Sequence, residues 1–130
     1  MEDETPTPNI TLTTMKAPTQ CTLWSRKNLT PLDLNLELVK VYTRTSHIER
    51  DLLKCRECGQ LYFHDWYEHV NFNHDAAMYD TYIPVETEAE IETLSNIEKS
   101  ADLADYVPQL HGSFTNDRND DLKWVTEKYA

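Results

Sequence analysis

Cys55-Arg56-Glu57-Cys58-Gly59 is the segment that most narrows what this chain can fold into. Two thiols separated by two residues form the tight turn from which a tetrahedral zinc ion takes one edge of its coordination shell. Gly59 suits the position after the second thiol, where the backbone must take a positive φ and leave an amide facing sulfur. With Cys21 the cysteines number three, an odd count for a disulfide framework. In a reducing compartment they remain thiols or metal ligands.

Histidines can supply the other edge. His69 follows Cys58 after ten intervening residues and His74 follows after four more, so the expected ligand set is Cys55, Cys58, His69 and His74. Either His64 or Cys21 could replace one of the histidines, and a third thiolate would explain the spare cysteine. The interval from Cys58 to His69 is too short for a ββα finger, and residues 60–69 read as strand, which predicts a zinc knuckle inside a sheet. On a regular strand His69 shares a face with Leu61, Phe63 and Tyr67, whereas His64 lies with Tyr62, Trp66 and Glu68.

A thiolate pair donates enough charge to make zinc a poor Lewis acid, so the metal is expected to be structural and the chain not an enzyme. His47-Ile48-Glu49 lies too close before Cys55 for a deaminase arrangement. Thiol redox chemistry would need the pair at a helix N-terminus, and here Gly59 and a strand follow.

At 130 residues, 15.2 kDa and 39% apolar side chains, the chain has room for one domain with a modest core. Residues 1–20 carry three acids, three prolines and scattered threonines, which predicts a flexible N-terminal arm ahead of a single domain over 21–130. Leu32–Leu36 alternates at period two as a short strand. Glu37–Arg44 and Ile48–Cys55 read as a hairpin delivering Cys55, and Gln60–Val70 and Met78–Val85 read as strands, the latter an edge because of Pro84. Ile91, Leu94, Ile97, Ala101 and Ala104 recur at helical spacing behind the Thr87-Glu88-Ala89-Glu90 capping box, giving a helix over 87–104. Gly112–Asp121 reads as loop, and Leu122, Val125 and Tyr129 as one face of a short C-terminal helix. The expected fold is α+β: an antiparallel sheet of about four or five strands with a zinc knuckle, covered by an acidic amphipathic helix and the C-terminal helix.

Charge bears on partners. Twelve basic against 23 acidic side chains give −11 at pH 7, which argues against nucleic acid and anionic membranes and favours a basic protein partner. Residues 57–130 alone hold sixteen acids and four bases. Glu88, Glu92 and Asp102 around the acidic helix are therefore the candidate partner-binding residues. The aromatic cluster of Tyr62, Phe63, Trp66, Tyr67, Phe72, Tyr79 and Tyr82 lacks the basic groove of a nucleic-acid platform and reads as packing. The sequence offers neither a secretory signal nor a long apolar run, so the expected location is cytoplasmic.

From Cys55 to Glu86 the wording CRECGQLYFHDWYEHV, then TYIPVE, resembles a family of small bacterial proteins built on a Cys-x-x-Cys-Gly knuckle. The resemblance covers about a quarter of the chain, its specific residues being Cys55, Cys58 and Gly59. It implies a zinc-ribbon-like hairpin and a bacterial source, and brings no activity with it.

These observations converge on an expected zinc-containing binding or inhibitor protein acting on a basic partner. An immunity protein that neutralises a nuclease-type toxin is the most concrete form. The alternatives are a zinc-module adaptor or regulator within a larger complex, and a small zinc hydrolase using Glu68 or Asp75 beside an open coordination position.

Overall fold

The computed structural model describes residues 14–70, 76–115 and 121–127. Six antiparallel strands form one sheet in which neighbours in space are neighbours in sequence: β1 (Leu36–Arg44), β2 (Ile48–Cys55), β3 (Leu61–Val70), β4 (Ala76–Val85), β5 (Gln109–Thr115) and β6 (Lys123–Val125). A single turn of helix, α1 (Thr22–Ser25), precedes the sheet, and α2 (Glu88–Ser95) lies between β4 and β5. Short 3-10 turns occupy Pro31–Asp33 and Ser100–Asp105.

The register explains why the strand patterns were readable. Leu52, Phe63 and Ile83 stand opposite one another across β2, β3 and β4, as do Leu53, Tyr62 and Pro84 one position away. Because side chains alternate between faces, these two rows define opposite sides of the sheet. On the first side Leu52, Phe63, Ile83 and Val85 are buried beneath Ile91 and Leu94 of α2, together with Leu103 and Met15. On the second, Cys55, Tyr62, Tyr82 and Leu110 are buried beneath Cys21, Leu23, Leu29 and Leu122. The segment before β1 thus works as a strap across the second face. Leu122 N–H donates to Leu29 O at 2.7 Å, Trp124 Nε1 donates to Leu23 O at 2.8 Å, and Arg56 N–H donates to Asn35 O at 3.0 Å.

The fold is α+β with six strands and little helix, and several local expectations are corrected. Leu32 lies in a 3-10 turn, exposed, and β1 begins at Leu36. The capping box forms, with Thr87 Oγ1 accepting from Glu90 N–H and Glu90 Oε1 accepting from Thr87 N–H, both at 3.1 Å. The helix it opens nevertheless stops at Ser95. Glu92 O accepts the last helical bond, from Asn96 N–H at 3.2 Å, and Asn96 Nδ2 and Ser95 Oγ also donate to it, at 2.9 and 3.0 Å, so side chains of the final turn crowd onto the helix end. Ile97 then turns back towards the sheet, its carbonyl accepting from Arg50 Nη1.

Gly112 belongs to β5 and not to a loop. A Cβ there would stand 2.6 Å from Leu122 Cδ2, so this glycine admits the close approach of the residue that seals the second face. Lys123–Val125 is β6, with Trp124 paired to Leu110, where a C-terminal helix was expected. β4 is flanked on both sides, and Pro84 falls beyond its last pair with β5, Tyr82 with Leu110, where the sheet on that side has ended. Within the stretch expected to be a flexible arm, Met15 is 5% exposed in the first core and its N–H donates to Val107 O at 2.9 Å. Residues 1–13 lie outside the described residues.

Candidate metal centre

The knuckle is built from the end of β2 and the start of β3. Cys55 N–H donates to Gln60 O at 2.8 Å and Gly59 N–H donates to Cys55 O at 2.9 Å, closing a turn that Gly59 completes with φ +84°. The nearest atom to a Cβ placed at Gly59 would be Lys54 Cε at 3.9 Å, so the requirement for glycine is conformational rather than steric. Burial works to raise the Cys55 thiol pKa, but the amides of Cys58 and Glu57 and the neighbouring thiols outweigh it and hold the thiol below its ordinary value. Backbone amides aimed at the first sulfur of a Cys-x-x-Cys turn are the usual support of a metal thiolate.

The third thiol comes from the strap. Cys21, at the start of α1, is brought onto Cys55 and Cys58 so that the three sulfurs all lie within 4.8 Å of one another. Tetrahedral ligation with zinc–sulfur bonds places ligand sulfurs about 3.8 Å apart, so a small inward adjustment would seat an ion. Cys21 and Cys55 are buried and Cys58 is exposed. Thr22 Oγ1 donates to Glu57 Oε1 at 2.7 Å, a second tie between strap and knuckle. Burial pushes the Cys21 thiol up to about 11, partly offset by the Tyr62 hydroxyl beside it. That hydroxyl is fully buried with no partner of ordinary hydrogen-bond geometry. A thiolate drawn onto a metal would supply its acceptor, and the donor set therefore fits a zinc-type ion.

The histidines go elsewhere. His69 is exposed near the far end of β3, opposite Ala77. It shares its face with Leu61 and Phe63, whereas Cys55 lies on the face of Tyr62, and the eight residues from Leu61 carry it roughly 26 Å along the strand. The fold therefore does not bring His69 to the thiols; His74 lies outside the described residues, as does Asp75. Of the two alternates, Cys21 joins the group and His64 does not. His64 is held between Asp51 and Asp80, with Nδ1 3.0 Å and Nε2 2.7 Å from their carboxylates, and its ring stacks on Tyr82 at 4.5 Å. Although burial opposes its charge, these two partners raise its pKa to about 9. Glu68 pairs with His47 Nδ1 at 3.2 Å, also far from the knuckle.

The candidate partner residues Glu88, Glu92 and Asp102 are all exposed, the first two on α2 and the third in the 3-10 turn after it. No protein-family model, curated protein or solved structure matches this chain. Among the described residues no helix is long and apolar enough to cross a membrane.

Proposed function

We propose that this chain is a zinc-containing binding protein whose metal clamps the strap to the β2–β3 hairpin and whose acidic side docks a basic protein. The observation that carries the reading is the meeting of Cys21 with Cys55 and Cys58, from segments far apart in sequence, with the sulfurs within 4.8 Å. A metal there is structural in effect, since it fixes the cover of the second core where α1 alone is a single turn. The partner half rests on the charge of −11 and on the exposure of Glu88 and Glu92 on a helix whose Ile91 and Leu94 face the sheet, and of Asp102 in the 3-10 turn that follows it. An inhibitor that fills the basic cleft of a nuclease-type toxin is the most concrete form of this activity.

Interface charges mainly raise association rate and specificity. The test is association kinetics with a basic nuclease-type partner across a salt series, comparing the natural chain with Glu88→Lys, Glu92→Lys and Asp102→Lys combined. The reversal should slow association and weaken its salt dependence while the fold persists. Unaltered kinetics would move the binding surface to the zinc-bearing turn and Trp66.

A further inference from the structure

We propose that the three-thiolate site keeps its fourth coordination position for an exogenous small thiol, admitted through the pocket beside Cys58; this rests on the zinc reading above. Among the described residues, no histidine nitrogen or carboxylate oxygen joins the three sulfurs. Glu57, in the knuckle itself, is held by Thr22, and the described histidines His64, His47 and His111 have partners of their own: Asp51 and Asp80, Glu68, and Thr81 Oγ1, the last 2.9 Å from Nδ1.

A pocket of about 400 Å³ opens at the same place. Lys16, Gln20 and Cys21 of the strap line one side, and Cys58, Gln60 and Glu86 line the other. Two of the three cysteines, the buried Cys21 and the exposed Cys58, therefore border the cavity. Glu86 is tied at the rim by Gln60 Nε2, 3.0 Å from its Oε2.

The chemistry of the donor set selects the ligand class. Three thiolates leave a divalent ion too weak a Lewis acid to activate an oxygen ligand, and its borderline-soft character, which admits all-sulfur shells, then favours sulfur over oxygen among small exogenous donors. On binding, the thiol loses its proton to solvent and its sulfur completes the tetrahedron. No carbon–sulfur bond changes and no electron is transferred. Lys16 at the mouth supplies the cation that offsets the added charge.

The test uses the full chain loaded with cobalt(II), whose sulfur-to-metal charge-transfer absorption reports the number of bound sulfurs. Titration with mercaptoethanol should raise that absorption saturably, by about one third as three sulfurs become four. Ethylene glycol, the oxygen control, should leave it unchanged. A spectrum indifferent to mercaptoethanol overturns the proposal, since the fourth donor is then the protein's own. A Glu86→Gln spectrum already altered before thiol is added overturns it too and names that donor. Failure of the full chain to take up cobalt at all removes the metal reading itself, a result separable from either of these.

Discussion

His64 Nε2 stands 2.7 Å from Asp80 Oδ1, in a side chain only 13% exposed, with Asp51 Oδ1 3.0 Å from the other ring nitrogen. The cationic ring is thereby shared by carboxylates from β2 and β4 across the central strand β3. Because the folded pKa of about 9 lies above the ordinary value of 6.5, the stabilisation is fully present below about pH 6.5 and is lost as pH rises through 9. Its size is on the order of 3 kcal/mol. Thermal melts from mildly acid to alkaline pH should show a fall in stability for the natural chain that His64→Gln flattens. Cysteine ionisation contributes in the alkaline range to both proteins, so the difference between them isolates the ring. Parallel profiles would contradict this role for His64.

Arg50 and Asp65 form a second cross-strand pair on the opposite face, Nε to Oδ2 2.8 Å, at 6% and 1% exposure. Ser100 Oγ donates to the same carboxylate oxygen at 3.1 Å and Arg50 Nη1 donates to Ile97 O, so the pair ties the loop after α2 to the sheet. Removing one partner leaves a buried charge uncompensated, and Arg50→Met or Asp65→Asn should each cost about 3–5 kcal/mol in urea unfolding. A loss below a third of that would show that solvent already reaches the pair.

Deletion through residue 20 should destabilise the protein, contrary to what the composition of that segment suggests, because Met15 sits in the first core and bonds Val107. Met15→Ala alone should cost about 2–5 kcal/mol. Melting of the deletion variant at the natural temperature would place Met15 outside the cooperative unit.

The sheet centre was legible because β2 and β3 carry short aliphatic and aromatic runs bounded by turn residues: Leu52 and Phe63 face one side, Leu53 and Tyr62 the other, so both faces are buried and neighbouring residues are apolar together. What escaped depended on distant packing. Gly112 looks like loop chemistry until Leu122 is placed against it, and Leu122-Lys123-Trp124-Val125 is too short to distinguish strand from helix by period alone. The Cys-x-x-Cys-Gly turn was visible as a local signal. Its third member was visible only as a spare thiol, since the path of a strap across a sheet leaves no periodic trace in sequence. Histidine spacing misdirected the choice: His69 continues the straight run of β3 away from the knuckle, and no turn returns it.

The central claim, that Cys21, Cys55 and Cys58 hold one metal that clamps the strap to the hairpin, is tested most directly by metal content measured together with melting temperature. The natural chain should carry about one zinc per molecule, and Cys21→Ser, Cys55→Ser and Cys58→Ser should each lower both zinc content and melting temperature, as a chelator should in the natural chain. A metal-free natural protein whose melting is unchanged in all three variants would contradict it.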